Sequence, residues 1–165
     1  MQRTSHMIYV TVGTQLPFAR LIKAVNDVAA EKGLDVFAQV GPDKSHYHAI
    51  KTADFVDPEE ANRFIREADL IIAHAGMGTI ISASQLGKPL IIMPRQFHYG
   101  EHRNDHQLAT ANRFRDFPNI TVVEDKRSLS EAMDSKLEQA DGPLLGVVPE
   151  YAPDSFIAEL KKLLV

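Results

Sequence analysis

The sequence predicts a doubly wound α/β protein built on a mostly parallel sheet. Three observations lead to this fold class. Short apolar runs alternate with segments of helical periodicity along most of the chain. Two of the runs, DLIIAH and PLIIMP, are continuously apolar, as expected for parallel strands that are covered on both faces. Glycine and proline separate the runs, and this order of strands and helices is typical of a parallel sheet.

The first half of the chain contains three predicted strands and two predicted helices. The strands are expected at residues 7–12, 35–41 and 54–57. The first of them is rich in β-branched and aromatic residues, which favours a buried strand. One helix is expected between Pro17 and Gly33, because proline suits a first turn and glycine suits a helix end. Pro58 opens the other, which ends near Ala68.

The second half continues the same alternation. Its strands are expected at residues 69–74, 89–94 and 119–125. Helices are expected after the glycine-rich turn at residues 76–78, around residues 105–115, from residue 128 to about 139, and at residues 154–165. Ser128 is the predicted N-cap of the third of these helices, with Glu131 completing a Ser-x-x-Glu capping box. A connector rich in glycine and proline precedes the last helix.

Length and composition are those of one globular domain. The 165 residues are 44% hydrophobic and 24% charged, and a chain of about this length buries roughly 70% of its unfolded surface. We expect residues 1–6 to be a disordered lead or a cloning remnant. Residues 7–165 are then a single domain that closes with a C-terminal helix.

Charge, cysteine content and hydropathy disfavour several classes of protein. The net charge of -4 argues against broad electrostatic binding to nucleic acid, which needs a clustered basic surface. The absence of cysteine excludes disulfide and thiolate chemistry. No apolar run reaches the ~20 residues of a membrane-spanning helix, and the N-terminus lacks the apolar core of a secretory signal. We therefore expect a cytoplasmic protein that reaches a membrane only through a partner.

Two strand–turn–helix segments carry small or hydroxyl residues at the turn. One is VTVGTQLPF, with Gly13 and Thr14, and the other is IIAHAGMGTI, with Gly76, Gly78 and Thr79. Glycine lets backbone N–H groups approach an anion, and a helix N-terminus favours negative charge, so a nucleotide diphosphate is the natural ligand. The alternative is that these glycines only permit tight turns. Neither segment is a Walker A loop or a complete G-x-G-x-x-G fingerprint.

The loop after Pro94 is dense in polar and ionisable side chains. These are Arg95, His98, Glu101, His102, Arg103, Asn104, Asp105, His106 and Gln107. The spacing is not H-E-x-x-H, so no metal site is predicted, and no cofactor. Two interpretations of this loop remain. It hydrogen-bonds a hydroxyl-rich ligand, or it is a solvated surface loop. Arg95 either faces the site or forms a surface salt bridge. No G-x-S-x-G elbow marks a nucleophilic serine.

The segment FVDPEEANRFIREADLIIAHAGMGTIISASQLGKPLIIMPR, followed by NDHQLATA, resembles the donor-binding C-terminal half of GT-B glycosyltransferases of family 28. The likeness extends to small single-domain members: the PssE/EpsE-type subunits of exopolysaccharide synthesis and the soluble catalytic subunit of the dolichol-linked UDP-GlcNAc transferase. VTVGTQLPFARLI resembles the opening strand and turn of the same subunits. The resemblance covers residues 7–123 and implies a Rossmann-like domain that forms half of a GT-B fold.

This resemblance implies roles for individual residues. The implied diphosphate site consists of Gly13, Thr14, His74, Ala75, Gly76, Met77, Gly78 and Thr79. Phe55 and Val56 are expected to line the uracil site, and Asp105, His106 and Gln107 to bind the donor sugar. One position departs from the family. Ser82 stands where many members carry a ribose-binding glutamate, and a hydroxyl cannot give a bidentate carboxylate contact.

The implied activity is metal-independent, inverting transfer of a hexose-type sugar from a UDP-sugar to a lipid-linked acceptor in polysaccharide synthesis. The general base is not identified: His98, Glu101 and His102 are candidates, and the base can also come from a partner. A membrane-associated subunit is expected to supply the acceptor half. The first alternative is a non-catalytic nucleotide-sugar-binding or enhancer subunit, which would bind donor without forming product. An unrelated α/β hydrolase or epimerase is disfavoured, because no nucleophile elbow and no Tyr-x-x-x-Lys pair is present.

Overall fold

The computed structural model describes residues 5–141 together with Ala158 and Lys162. Its six strands are β1 (Met7–Thr11), β2 (Asp35–Gln39), β3 (Lys51–Ala53), β4 (Leu70–His74), β5 (Leu90–Met93) and β6 (Ile120–Val122). Its helices are α1 (Ala19–Lys32), α2 (Pro58–Glu67), α3 (Met77–Gln85), α4 (His106–Phe114) and α5 (Lys126–Asp141). A 3-10 helix covers Phe97–Tyr99. The helix predicted at residues 154–165 lies outside the described residues, apart from the helical Ala158 and Lys162.

The strands form one sheet in the order β3-β2-β1-β4-β5-β6, and every pair is parallel. From β1 the chain builds the sheet outward to β3, then crosses back to β4 and builds toward the other edge. Neighbours β1 and β4 are therefore the point at which the direction of winding changes. This confirms the predicted doubly wound sheet. Among the described helices, none is long and apolar enough to cross a membrane.

Two hydrophobic cores lie on the two faces of the sheet. Ile8, Val10, Leu70 and Ile72 alternate along β1 and β4 toward the face covered by α1 and α5. The intervening residues belong to the other core, which α2, α3 and α4 cover. Because successive side chains of a strand point to opposite faces, both sides of the central strands must be apolar. This double burial is why β4 and β5 are continuous apolar runs.

The short third strand lies earlier in the chain than predicted. It occupies Lys51–Ala53, whereas residues 54–57 form the loop that follows it. Backbone pairing sets this register: the Val40 N–H donates to the Ala53 carbonyl and the Gly41 N–H to the Asp54 carbonyl. Both β3 faces are largely exposed because the strand lies at the sheet edge, so apolarity does not mark it. Phe55, taken for a strand residue, is 58% exposed.

The start of α5 also differs from prediction. Asp125 receives a 2.8 Å hydrogen bond from the Ser128 N–H, and the Ser128 hydroxyl accepts from the N–H groups of Glu124 and Asp125. The capping pair is thus Asp125 with Ser128, and Ser128 reaches back toward the cap instead of being the cap. The N-cap position is therefore Asp125, three residues before the predicted cap, and the helix begins at Lys126. Helix α1 begins at Ala19, two residues after Pro17, and its N-cap residue Phe18 makes no side-chain capping bond.

Candidate functional site

We call the region at the carboxyl ends of β1 and β4 the crevice, because the winding direction changes between these strands and ligands bind at that point in open α/β sheets. The turn after β1 contains Gly13, and the turn after β4 contains Gly76. His74 is the last residue of β4. The two predicted glycine turns are therefore brought face to face across neighbouring strands, with a histidine between them.

The imidazole of His74 fills the space that the two glycines leave. A β-carbon added at position 76 would lie 2.5 Å from His74 Nε2, and one at position 13 would lie 3.1 Å from the same atom. Gly13 also has a φ of 78°, a conformation that side-chain-bearing residues rarely adopt. The histidine ring therefore explains the glycine at position 76, and at position 13 it adds to the requirement of the positive φ. The sequence did not indicate these contacts.

Gly78 is different, because nothing lies within 4 Å of the position that its β-carbon would take. It belongs to the first turn of α3, whose N-cap is Gly76. The Ile80 N–H makes the first hydrogen bond of the helix, to the Gly76 carbonyl. The N–H groups of Met77, Gly78 and Thr79 precede it, at the positive end of the helix dipole. This open surface can receive an anion.

Arg95 lies under the crevice and is 4% exposed. Its guanidinium donates to the carbonyls of Val12 and Leu16 at 2.9 and 2.7 Å, and to His74 Nδ1 at 3.2 Å. It also stacks over the Phe18 ring, 5.1 Å from the ring centroid. The sequence left open whether Arg95 faces the site or forms a surface salt bridge, and its burial and contacts confirm the inward orientation. Arg95 links the turn after β1 to β4 and carries its charge into the site.

Gln107, the second residue of α4, closes the base of the crevice. Its Oε1 accepts hydrogen bonds from the N–H groups of Ala75 and Arg95, at 3.3 and 3.0 Å. Its Nε2 lies 3.2 Å from His74 Nδ1. The side chain was predicted to bind the donor sugar, but it is 8% exposed and bonded to the ends of two strands.

The electrostatic surroundings of His74 favour the uncharged ring. Burial is the largest cause, and the charges of Arg95 and His102 add to it, so the pKa of His74 falls to about 3. Burial also lowers the pKa of Arg95, and the carboxylate of Glu101 partly opposes this shift. At neutral pH the crevice therefore contains a neutral imidazole beside a guanidinium.

Two side chains hold the turn after β1. Thr11 Oγ1 accepts from the Gly13 N–H at 3.3 Å, and the Gln39 amide donates to the Gly13 carbonyl at 3.3 Å. Gln39 is 4% exposed and also contacts the Tyr9 hydroxyl at 3.4 Å. Neither residue was identified from the sequence, because a polar residue inside a strand carries no local signal of what it bonds. Thr14, the predicted ligand contact, is exposed.

The three candidate bases lie in the loop after β5 and have different surroundings. The Glu101 carboxylate makes two contacts with the Arg20 guanidinium, at 2.9 and 3.0 Å, and accepts from the Gln96 N–H. His98 is exposed and packs against the Tyr99 ring. His102 is half-buried, and its Nδ1 has no hydrogen-bond partner among the described residues. A base role for each of them stays a prediction.

The residues predicted to bind the sugar, the uracil and the ribose lie on different elements. Asp105 and His106 are exposed at the start of α4, and Asp105 accepts from the Phe97 N–H. Phe55 and Val56 follow the edge strand β3, so that β2 and β1 lie between them and His74. Ser82 is half-buried in α3. Arg20, which no motif indicated, anchors the loop after β5 by further bonds to the carbonyls of Pro94 and Glu124.

Within the described part of the chain, no group of three or more histidine, aspartate or glutamate side chains is arranged to hold a metal ion. The α3 terminus contributes N–H donors to the crevice beside the His74 ring. The buried Arg95 adds positive charge there, while its Nη atoms bond to the protein. Such a set is complementary to an anion with several oxygen acceptors.

Comparison with known proteins identifies related sequences and folds. A sequence model of the glycosyltransferase family 28 C-terminal domain matches residues 7–141. The UDP-N-acetylglucosamine transferase subunit ALG13 of Candida albicans is 42% identical over 65 residues, which are 39% of this chain and 21% of that protein. The UDP-N-acetylglucosamine--N-acetylmuramyl-(pentapeptide) pyrophosphoryl-undecaprenol N-acetylglucosamine transferase of Bifidobacterium longum is 33% identical over 76 residues, 46% of this chain and 19% of that protein. Each match spans only about a fifth of the curated relative.

The fold is shared with a solved structure over nearly the full length of both chains. The solution NMR structure of ALG13 superimposes with a TM-score of 0.62 at 18% identity, and the match covers 92% of this chain and 93% of that one. Sequence and structure comparisons thus agree on the architecture that was predicted.

The depressed pKa of His74 leads to a prediction about stability. The unfolded chain takes up a proton near the ordinary value of 6.5, whereas the folded protein resists protonation down to about 3. Between these values the unfolded state binds more protons, so the free energy of unfolding falls as the pH is lowered through this window. We expect this group to contribute up to about 1.4 kcal/mol per pH unit. Denaturant titrations at intervals from pH 7 to pH 4 measure the slope.

The matched control is His74→Gln, which removes the titrating group and keeps every other ionisable side chain. Its free energy of unfolding should depend less steeply on pH than that of the wild-type protein. Parallel profiles for the two proteins would show that His74 titrates normally in the folded state.

The Arg20–Glu101 pair gives a second prediction. If the carboxylate mainly anchors the loop, Arg20→Met and Glu101→Gln should each lower stability, with a coupling free energy of about 1 kcal/mol in a double-mutant cycle. Thermal or urea denaturation of the two single variants and the double variant measures it. Strictly additive effects would mean that the pair contributes nothing to stability, which would leave Glu101 available for another role.

Proposed function

The chain belongs to the glycosyltransferase family 28 C-terminal domain family, and from that premise we propose that it binds a UDP-sugar and provides the donor half of a glycosyltransferase. The observation that carries the proposal is the set of donors around His74. Three free N–H groups of the α3 terminus, a neutral imidazole and a buried guanidinium meet at one crevice. The diphosphate of a nucleotide sugar has the charge and the oxygen acceptors that this set requires.

The proposed reaction is an inverting transfer of a hexose-type sugar. An acceptor hydroxyl attacks the anomeric carbon while the bond from that carbon to the diphosphate oxygen breaks. A general base takes the hydroxyl proton, and UDP leaves with the bonding electrons. Negative charge grows on the diphosphate in the transition state, where the α3 terminus and His74 donate hydrogen bonds to it. We propose that these donors and the nearby Arg95 charge do the work of a divalent metal, since the sequence contains no Asp-x-Asp motif.

We also propose contacts for the sugar, the uracil and the ribose of the donor. We assign the donor sugar to the exposed side chains of Asp105 and His106, and the uracil to the loop of Phe55 and Val56. The Ser82 hydroxyl is the assigned ribose contact. UDP is favoured because two sequence relatives are named for UDP-N-acetylglucosamine.

We propose a membrane-associated partner that supplies the acceptor half and presents a lipid-linked saccharide for polysaccharide synthesis. Two observations support it. The matched relative ALG13 is named as a subunit, and the Bifidobacterium longum relative is named for a pyrophosphoryl-undecaprenol substrate. The chain is then a cytoplasmic subunit held at the inner face of the membrane by its partner.

A second candidate is a non-catalytic subunit that binds the nucleotide sugar for a complex. The contacts of both Glu101 carboxylate oxygens with Arg20 favour it, because they hold this candidate base against α1. Transfer assays test whether this chain has a catalytic role. With a labelled UDP-sugar and membranes that contain the partner, we expect product that depends on this chain. Full transfer by the partner without this chain would exclude a catalytic role.

The donor site itself is tested by Gly78→Ala. Its methyl group enters open space in the free protein but would occupy part of the space that a diphosphate at the α3 terminus needs. We therefore expect UDP affinity to fall about tenfold or more, the equivalent of one hydrogen bond to a charged group. Stability should be equal or higher by up to about 1 kcal/mol, since alanine favours a helix. Calorimetry with UDP and thermal denaturation measure the two effects.

The matched comparison is Gly76→Ala, two residues earlier. There the β-carbon would overlap the His74 ring, so a loss of stability should accompany any loss of binding. Unchanged UDP affinity in a folded Gly78→Ala protein would contradict the proposed diphosphate position.

A further inference from the structure

Two side chains point hydrogen-bond donors at the same nitrogen of His74. Nδ1 lies 3.2 Å from Arg95 Nη1 and 3.2 Å from Gln107 Nε2. The amide of Gln107 cannot be turned round, because its Oε1 already accepts from the N–H groups of Ala75 and Arg95. A guanidinium can only donate. Both neighbours of Nδ1 are therefore donors.

This arrangement decides where the ring carries its proton. Nδ1 must present a lone pair to both donors, so the single proton of the neutral ring resides on Nε2. That atom is the edge of the ring that lies between the two glycines, 2.5 and 3.1 Å from the β-carbons they lack. No hydrogen bond to Nε2 is made by any described residue, so its N–H is available to a ligand.

We propose that Arg95 and Gln107 are positioning residues that hold His74 as a neutral imidazole with its proton on Nε2, directed into the crevice. The inference rests on the proposed function, in which the crevice receives a diphosphate. His74 then contributes a hydrogen bond without a change of charge. Gln107 acts on the donor through His74 and not by contact with the sugar, in contrast to the role that the family resemblance implied.

The charged groups around the ring support this protonation state. Arg95 approaches from the end of β5 and His102 from the loop that follows, and both oppose a positive charge on His74. Gln107 approaches from α4 with an uncharged amide. Gly13 and Gly76, which flank Nε2, offer no side chain. Among the described residues, no carboxylate accepts a hydrogen bond from the ring to favour its protonated form.

The test is nitrogen-15 NMR of the histidine rings in the free protein, with His74 assigned by its absence from a His74→Gln sample. We expect the wild-type ring to show protonated Nε2 and unprotonated Nδ1, and to remain unchanged from pH 8 to pH 5. The nitrogen-15 shifts of free histidine added to the sample report its pH. A ring protonated on Nδ1, or one that titrates within this range, would overturn the proposal.

Two matched variants locate the cause. Gln107→Glu has nearly the same shape but places an acceptor at Nδ1, so the ring should become protonated there and the pKa of His74 should rise by at least about one unit. Gln107→Met removes the amide without adding charge, and the Arg95 donor should preserve the wild-type tautomer. No difference between the Glu variant and the wild-type protein would contradict the assigned role of Gln107.

Ligand binding distinguishes this inference from the proposed function. If Gln107 acts through His74, Gln107→Met should change the affinities for UDP and for UDP-N-acetylglucosamine by the same factor. A larger loss for the sugar nucleotide would mean that the amide contacts the sugar. Failure of the wild-type protein to bind UDP would remove the proposed function, while the NMR result on the free protein would still decide the protonation state.

Discussion

The site depends on one steric constraint, which is the placement of an imidazole between two turns at the centre of the sheet. The β1 and β4 strands are paired neighbours whose chains continue toward opposite edges, so the turns that follow them lead apart and leave space. The ring of His74 occupies that space only because positions 13 and 76 have no β-carbon. The His74 ring therefore lies against both turns. A backbone shift in one turn would move the ring toward the other turn.

A buried cation beneath the ring completes the arrangement. Burying a guanidinium is costly unless its protons find acceptors. Arg95 finds two backbone carbonyls, a ring nitrogen and an aromatic face, although its Nε has no partner in the described part of the chain. Carbonyls and an imidazole satisfy the donors without neutralising the charge. Positive potential therefore remains at the crevice, where it both disfavours a protonated His74 and attracts an anion.

The sequence predicted the strands whose burial requires a continuous run of apolar residues. It did not predict the position of the strand that is defined by backbone pairing alone. Strands β4 and β5 are covered on both faces, and their apolar runs predicted them. The edge strand β3 is exposed, and only its register against Phe37, Ala38 and Gln39 defines it. The capping pattern predicted the start of α5 to within three residues. Asp125 and not Ser128 is the cap, because each side chain accepts a hydrogen bond from the N–H of the other residue.

By itself, the sequence determined the fold class, the order of its elements and the two glycine turns, because alternating apolar periodicity and glycine are local properties of the chain. Only the tertiary structure decided what those glycines accommodate and which polar residues reach the crevice. His74, Arg95 and Gln107 lie on three different elements, and nothing in their spacing shows that two donors converge on one ring nitrogen. Such a contact arises when neighbouring strands end side by side, since the sheet order brings together residues that are 21 and 33 positions apart along the chain.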